Sequence, residues 1–461
     1  MSDNRRKHIF VLVVSVIASF FIFSSAFCIN SEEDTAPISL AIKDIVLTAF
    51  SNNKDILIQE DEVKISQALI MGSRSKFLPS VDINAGYTHN DKVFMESPTT
   101  GYKNQNQAGI SATQAIYTGG ANYANFKQAQ INFTTQNETL RLRKLNVEFE
   151  AKRLYYGLLL AYETERITEE LVNQAKAHAE DVSNKLKEGT ATKFDLLQSN
   201  TQVSLLIPEL IKSQNAIEIT MAELDKLLGF NVRRQINPLD RLDYSPLDIK
   251  EDEFLKIAYL NRPEMILKSL GIDTSKWEIK AAKSGWLPQV NASFGYDYIS
   301  NDLGDMFNRV HNNWNAGVAV SLNIFDGFST LAKVREAKSK YAQAVLSKSN
   351  IADQTAVDIR RGCLDMHRAY QIIVATKDNV EQAREALRLS IANYDNGEGT
   401  NLDVLDAQTS LGQIQKNLYN AIYDYLMAEA YLYKTMGVSI FPELSGQAQG
   451  WLMEAKNEKT K

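Results

Sequence analysis

Two segments of the chain alternate apolar and polar residues with a period of two. One runs from Val81 to Tyr87, and the other from Val290 to Tyr298. Successive side chains of a β-strand point to opposite faces, so this alternation predicts strands with one apolar and one polar face. Each segment is followed by a polar loop and a second alternating segment. The pattern therefore predicts two strand pairs, with strands at about 80–90 and 107–118, and at about 289–299 and 314–326.

The residues that follow each strand pair have a helical composition. From Ala121 to Lys187 the chain is rich in Ala, Leu, Gln, Glu, Asn and Lys, lacks proline and has Gly157 as its only glycine. This composition predicts one helix that spans on the order of 100 Å. A helix of this length cannot lie inside a globular core, so it must pack side by side with others, as in a coiled coil. Turns at Gly189 and Gly397 then reverse the chain into return helices.

The two halves of the chain are copies of one unit. Leu78 to Val81 (LPSV) recurs 209 residues later as Leu287 to Val290 (LPQV). Beyond the first strand the spacing becomes 208 residues, and it pairs Gly109 with Gly317, Gly189 with Gly397, Asp195 with Asp403, and Gly229 with Gly437. Chance matches would not keep one register over such a distance. The repeat predicts two units, residues 40–230 and 249–438.

The N-terminus predicts export from the cytoplasm. Arg5 to Lys7 precede an apolar run from Ile9 to Phe23, and the small residues Ser24 to Ala26 follow. This order is typical of a secretory signal peptide, predicted here over residues 1–26. An uncleaved anchor helix is the alternative. Lipid attachment at Cys28 has less support, because Phe27 occupies a position where a small residue is expected.

The composition argues against several classes of function. The formal net charge of −6 gives no basis for a nucleic-acid partner, because phosphate binding needs a basic surface. The 2 cysteines do not form a disulfide framework or a metal cluster, and the 5 histidines are scattered. Since no nucleophile elbow or phosphate loop is present either, we predict no enzyme activity, no cofactor and no metal site. The Lys- and Glu-rich segment 439–461 is predicted to be a flexible C-terminal tail.

The predicted strands constrain how the chain assembles. Each strand has the length of about ten residues that crosses an outer membrane when tilted, but membrane barrels need about eight strands or more. An open strand edge in lipid leaves backbone groups unpaired, at several kcal/mol each. The strands must therefore close with those of other chains, and three chains supply an even number, twelve, within the usual range. The predicted fold class is an α+β membrane protein with four transmembrane strands and long coiled-coil-like helices per chain.

The sequence resembles the TolC family of outer-membrane efflux proteins. The resemblance rests on the Leu-Pro-x-Val start of each strand pair, the duplicated hairpins, the long helices and the Gly-x-x-Thr-x-x-Asp turns, and it covers about residues 40–438. It implies a homotrimer in the outer membrane of a Gram-negative cell, with a 12-stranded β-barrel embedded in lipid. The barrel would continue into a 12-helix α-barrel in the periplasm. The implied partners are a periplasmic adaptor (membrane fusion) protein and an inner-membrane pump of the RND or ABC class.

Both turns between the long and return helices carry the same pattern. Thr192 and Thr400 are predicted to cap the return helices, and Asp195 and Asp403, three residues later, complete capping boxes. Asp406 lies outside the capping box but on the same helix face as Asp403. The resemblance implies that Asp403 and Asp406 form rings of carboxylates at a gate that selects cations. A merely solvated acidic pair is the alternative.

The resemblance also implies a latch that holds the periplasmic tip closed. Tyr394 matches the gating tyrosine of the family, and Asp195 matches its acidic partner. The arginine expected in the same network falls at Gly399, so the latch would rest on Tyr394 with Asp195, on Lys193, or on another cation. The implied adaptor-contact residues at the tip are Gly189, Thr192, Gly397 and Thr400.

The predicted function is a passive outer-membrane channel of a tripartite efflux system or a type I secretion system. The alternative is a trimeric periplasmic or surface coiled-coil scaffold. A scaffold would show regular heptads and would not need alternating hairpins. The sequence leaves the cargo open between small toxic compounds and unfolded proteins. Heavy-metal export has no support from a His- or Met-rich segment.

Overall fold

The computed structural model describes most of the chain between residues 37 and 441. The described residues are 37–89, 104–230, 235–248, 250–300, 312–439 and 441. The predicted signal peptide and nearly all of the predicted C-terminal tail lie outside these residues, as do the loops within the two strand pairs.

Each copy of the unit folds into two short helices, two strands, a very long helix and a return helix, in that order. The helices of the first copy are α1 (Ile42–Asn52), α2 (Lys54–Ser75), α3 (Ala121–Glu188) and α4 (Lys193–Leu228). Those of the second copy are α5 (Glu251–Asn261), α6 (Pro263–Lys283), α7 (Ser329–Asp395) and α8 (Asn401–Met436). The strands are β1 (Ile38–Leu40), β2 (Ser80–His89), β3 (Asn104–Thr118), β4 (Ile236–Pro238), β5 (Gln289–Ser300) and β6 (Asn312–Ser321).

The two strand pairs join into one antiparallel sheet with the order β2-β3-β5-β6. The register aligns an apolar row across all four strands, formed by Ile83, Ile110, Tyr296 and Trp314. The next row points to the opposite face, because neighbouring residues of a strand alternate. It is formed by Asn84, Gly109, Asp297 and Asn313. The predicted separation of an apolar and a polar face is therefore present, and β2 and β6 are the two edges of the sheet.

Two strand ends differ from the sequence prediction. β6 ends at Ser321 and not near 326, because Ser321 pairs with Gln289 at the very start of β5. Pro288 precedes that residue and has no N–H group to extend the ladder. β3 begins at Asn104 and not at 107, because β2 extends to His89 and pairs with it.

The long helices run side by side with the return helices. α3 has 68 residues and α7 has 67, so each spans about 100 Å. α3 packs against both α4 and α8, and α7 packs against α8. Each unit thus forms a helical hairpin, and α3 and α8 join the two hairpins. Among the described residues, no helix combines the length and apolar character needed to cross a membrane.

The main apolar core lies where the middles of α3 and α7 meet α1, α5 and the ends of α4 and α8. Tyr155 of α3 is fully buried there. Its hydroxyl lies 2.8 Å from Asp240 Oδ2 and 3.1 Å from the Leu40 carbonyl oxygen, and it accepts the Asp240 N–H at 3.2 Å. This hydroxyl connects β1, and the segment after β4, to the long helix. The core thereby fixes the centre of the molecule, from which both hairpins extend to one tip.

The end of α8 fits closely against the joint between α5 and α6. Gly437 adopts a left-handed conformation with φ of 72°, and a Cβ atom there would lie 2.5 Å from the Asn261 carbonyl oxygen and 2.7 Å from Arg262 Cα. Arg141 of α3 donates hydrogen bonds to the carbonyl oxygens of Asn261 and Gly437. Arg262 is itself buried and donates to Asp358 Oδ2 at 3.0 Å. Glycine is therefore required at position 437 both for its backbone conformation and because a Cβ atom would overlap the backbone of Asn261 and Arg262.

Replacing this glycine should destabilise the protein more than replacing a glycine that is needed for conformation alone. Gly397 has a similar φ of 74°, but a Cβ atom there would have no neighbour within 4 Å. We expect Gly397→Ala to cost about 1–2 kcal/mol for the left-handed backbone. Gly437→Ala should cost about 1–3 kcal/mol more, because backbone atoms must move. Thermal unfolding of the detergent-solubilised variants, followed by circular dichroism, measures both, and equal losses would contradict the packing argument.

Candidate functional site

The two hairpins end in turns of the same geometry. Gly189 and Gly397 have φ values of 82° and 74°, and each follows the last turn of a long helix. In the first turn the N–H of Thr190 donates to the Lys185 carbonyl oxygen at 2.8 Å. In the second turn the N–H of Glu398 donates to the Asn393 carbonyl oxygen at 2.8 Å. These bonds satisfy carbonyl groups at the helix ends, so a left-handed glycine closes each hairpin.

The return helices begin with the predicted capping boxes. Thr192 Oγ1 accepts the N–H of Asp195 at 3.1 Å, and Asp195 Oδ2 accepts the N–H of Thr192 at 2.9 Å. In the second copy, Thr400 and Asp403 make the same two bonds at 3.3 and 2.8 Å. Hydrogen bonds from the side chain and the backbone of Thr400 hold the pKa of Asp403 below its usual range. The cap is therefore complete near neutral pH and is lost only as the pH falls through this lowered pKa.

Asp403 and Asp406 lie one helical turn apart and are both exposed. Between them, Val404 and Leu405 are buried against the rest of the tip. The two carboxylates therefore project from the outer side of α8, away from the core of the same chain. Within the described residues, no group of three or more His, Cys, Asp or Glu side chains has an arrangement that could hold a metal ion.

Tyr394 and Asp195 are close but are not joined by a hydrogen bond in the described chain. The carboxylate of Asp195 is directed into its own capping box. The ring of Tyr394 lies edge-on to His178, with centroids 5.5 Å apart, and Lys185 Nζ lies 4.3 Å from the Tyr394 centroid. Burial raises the pKa of Tyr394, Lys185 opposes this rise, and the charge of Asp195 adds to it. Tyr394 therefore packs against α3, and a direct Tyr394–Asp195 bond stays a prediction.

Lys185 of α3 supplies a cation at this position. Its Nζ lies 2.6 Å from Asp395 Oδ1 and 3.0 Å from Asp181 Oδ2, and its side chain is 20% exposed. Burial alone would lower the pKa of Lys185, but hydrogen bonds to both carboxylates raise it above the usual value. Because the folded-state pKa is raised, the ion pairs stabilise the tip at neutral pH and are lost only as the pH rises through the raised pKa.

The turn itself leaves little room for the expected arginine. A Cβ atom at Gly399 would lie 3.1 Å from Asn393 Cβ and 3.2 Å from the Tyr394 backbone nitrogen. A side chain at this position would need the neighbouring atoms to move. Sequence reasoning missed Lys185, because the Lys185–Asp395 pair joins residues 210 positions apart on two helices. A comparison of the two copies gives one signal that could have pointed to Lys185, because its counterpart in the second copy is the neutral Asn393.

Removing the positive charge of Lys185 should loosen the tip. We expect local opening around residues 393–403 to become up to about fivefold more frequent in Lys185→Gln, because the ion pair to Asp395 on the other hairpin is lost. Hydrogen–deuterium exchange measured on peptides from this segment reports the change. Lys187→Gln is the matched control, because Lys187 is exposed and its Nζ donates to Asn184 Oδ1 on the same helix. Equal exchange in the two variants would contradict a role for Lys185 in joining the hairpins.

The chain matches known proteins both in sequence and in fold. A sequence profile for the family described as outer membrane efflux protein matches residues 46–230 and 255–438. The chain is 23% identical over 391 residues to the outer membrane protein TolC of Vibrio cholerae, a match that covers 80% of this chain and 84% of that protein. It is 24% identical over 368 residues to the proteases secretion protein PrtF of Dickeya chrysanthemi, covering 70% of this chain and 79% of that protein.

Solved structures lead to the same conclusion about the fold. The Campylobacter jejuni CmeC outer membrane channel superimposes with a TM-score of 0.77 at 18% identity, and the match covers 90% of this chain and 89% of that chain. The family profile and the relatives confirm the predicted family, the outer-membrane location and the role in export. The chain therefore belongs to the outer membrane efflux protein family.

Proposed function

We propose that three copies of this chain close into one duct through the outer membrane. The duct catalyses nothing, and it conducts cargo to the outside from an inner-membrane pump and a periplasmic adaptor protein. The observation that carries this proposal is the open sheet, in which β2 and β6 are edge strands of ten residues each. Strands of this length cross a membrane when tilted, and unpaired edges in lipid cost several kcal/mol for each backbone group.

The number of copies follows from the width of the barrel. Pairing β6 of one copy with β2 of the next removes both free edges. Two copies would give about eight strands, and the interior of a barrel of that size is filled by its own side chains. Three copies give about twelve strands, which leave room for water and lie within the range of outer-membrane barrels. A trimer is therefore the smallest closed assembly of this sheet that can conduct.

The two faces of the sheet suit lipid on one side and water on the other. The apolar row contains Ile83 and Trp314, whose side chains are 81% and 67% exposed in a single copy. These side chains would contact the acyl chains of the membrane. The opposite row contains Asn84, Asp297 and Asn313, which would line a lumen filled with water.

A second exposed apolar surface supports contact between the helices of neighbouring copies. It runs along one side of α4 and consists of Phe194, Leu197, Leu205, Ile211 and Ile219. A helical period of 3.6 residues places these side chains within one stripe. Since monomeric proteins rarely leave such a stripe in water, we infer that helices of a second copy cover it. The long helices would then close into a tunnel beneath the barrel.

Threefold symmetry would convert the exposed aspartates into a gate. Three copies of Asp403 and of Asp406 would form two rings of carboxylates, one helical turn apart. Rings of acidic side chains at a constriction favour cations and bind multivalent cations. Within each copy, the hydrogen bonds from Thr400 favour the charged form of the Asp403 carboxylate.

The tip also offers a repeated surface to the adaptor. Gly189, Thr192, Gly397 and Thr400 are all exposed, and they belong to turns of the same geometry. A trimer would present six such turns around the tunnel axis. The related protein PrtF is named for protease secretion. Because the family description names efflux as well, the duct would supply the route and the pump would select the cargo.

The mass of the purified protein tests the assembly. The chain has a mass of 51.8 kDa before removal of any signal peptide. Light scattering in detergent, with the detergent mass subtracted, should give close to three times the mass of the mature chain. A monodisperse monomer or dimer would contradict the threefold duct.

Conductance in a planar lipid bilayer tests the channel and its gate. We expect a small, cation-selective conductance that multivalent cations block from the periplasmic side. The double variant Asp403→Ala with Asp406→Ala should lose most of this block, because both carboxylate rings are removed. The control variant Asp61→Ala with Glu62→Ala removes the same charge from exposed positions of α2 and should keep the block.

The possible results separate the proposals. An absence of conductance from well-folded trimers would contradict the proposed duct and favour a coiled-coil scaffold. A block that is equally strong in all variants would keep the duct but remove Asp403 and Asp406 from the gate.

A further inference from the structure

One buried asparagine side chain connects the two helical hairpins at the tip. Asn401 is the first residue of α8 and is 3% exposed. Its Nδ2 lies 3.2 Å from the Asp195 carbonyl oxygen and 3.2 Å from Gln198 Oε1. Its Oδ1 lies 2.7 Å from His178 Nε2 and 3.1 Å from Ser199 Oγ. We call these five residues the Asn401 junction.

The partners fix the orientation of the amide. The Asp195 carbonyl oxygen can only accept a hydrogen bond, so the atom facing it must be the NH₂ group. The amide oxygen then faces His178 Nε2, which donates to it. Ser199 Oγ lies 2.9 Å from the Asp195 carbonyl oxygen as well, so its single proton can serve either acceptor. Both ends of the Asn401 amide are therefore satisfied by side chains and backbone of α3 and α4.

The duplicated unit shows that this junction is not needed to build a hairpin. The counterpart of Asn401 in the first copy is Lys193, which is exposed and is the first residue of α4. That turn closes with the same capping box as the second turn. The counterpart of Ser199 in the second copy is Ala407, so the first copy carries a polar partner that the second copy lacks. The two copies have diverged so that one supplies the amide and the other supplies its partners.

The position of Asn401 connects it to the proposed gate. Asn401 and Asp403 lie in the same first turn of α8, and Asp406 follows one turn later. If the tip of the α7–α8 hairpin moves away from α3 and α4, the amide loses all its partners at once. Water can replace these partners once the tip has opened, so each bond opposes opening only by its net free energy, and a connected network is disrupted as a unit. The contacts of Asn401 thus oppose movement of the gate residues.

We propose that Asn401 is the positioning residue that holds the gate-bearing α7–α8 hairpin against α3 and α4 in the closed state. This inference rests on the proposed duct function. It implies that a buried amide determines where Asp403 and Asp406 lie in the closed state. Opening of the duct then requires release of the Asn401 junction. Asn401 itself takes no part in cation binding at the gate, because its amide is directed away from solvent.

The test compares Asn401→Ala with Lys193→Ala in planar bilayers. We expect the ratio of open to closed dwell times to rise about tenfold in Asn401→Ala, because at least two net hydrogen bonds are lost. Lys193→Ala truncates the matching position of the other hairpin, where the exposed lysine forms no ion pair with another described residue, and it should behave as the wild type does. Ser199→Ala keeps nearly the same volume and should give a smaller rise. The double variant Asn401→Ala with Ser199→Ala should not exceed Asn401→Ala, because both changes remove members of one network.

A second measurement separates positioning from folding. Trimer mass and the thermal midpoint report whether each variant assembles, and hydrogen–deuterium exchange over residues 401–406 reports local opening. An unchanged dwell-time ratio in assembled Asn401→Ala trimers would overturn the proposal, as would an equal rise in Lys193→Ala. If wild-type trimers do not conduct at all, the duct fails. Hydrogen–deuterium exchange then still tests whether Asn401 holds residues 401–406 in place. Equal exchange in Asn401→Ala and Lys193→Ala would reject that role.

Discussion

The architecture depends on the backbone hydrogen bonds that the two outer strands of the sheet leave unmade. β2 and β6 present N–H and C=O groups along ten residues each, and in a membrane those groups need protein partners. A single copy has none to offer, because its sheet order places both strands at the edges. In the proposed assembly, closure with other copies would determine where the remaining elements lie. The helices that continue from the strands would meet around the same axis, which would account for the exposed apolar stripe on α4.

Duplication gives the two hairpins the same backbone geometry, and the side-chain contacts at their tips differ between the copies. Both turns keep a left-handed glycine and a Thr–Asp capping box, since these features close a hairpin whichever copy they belong to. The remaining tip positions differ between the copies. Gln198 stands where the second copy has Asp406, so an assembly of three chains would carry three charges at that level and not six. In such an assembly, the shared backbone geometry alone would give nearly sixfold symmetry at the tip, and the differences between the copies would reduce it to threefold.

The sequence predicts the features that depend on local pattern. Alternation identifies all four long strands, the lack of proline identifies the long helices, and the Thr–Asp spacing identifies the caps. The sequence does not predict features that depend on a residue far away along the chain. The bulge in β3 between Ala115 and Tyr117 appears only against β5, and the end of β6 is set by the start of β5. Likewise, Lys185 and Asn401 gain their partners because the tips of the two hairpins lie side by side, an arrangement that no local period encodes.

The contacts that join the two hairpins at the tip differ in strength between exposed and buried positions. The Lys185–Asp395 pair lies at the rim, where the Asp395 side chain is 53% exposed, and ion pairs at such positions contribute about 0–1 kcal/mol. The amide of Asn401 is buried and makes several hydrogen bonds to the other hairpin, each with a net contribution of about 0.5–1.5 kcal/mol, so together they oppose separation more than the ion pair does. A tip that has glycine at position 399 therefore need not open more easily than one that has the expected arginine there. The strength of the closure would lie in a buried hydrogen-bond network, with the ion pair at its rim selecting the orientation of α7 against α3.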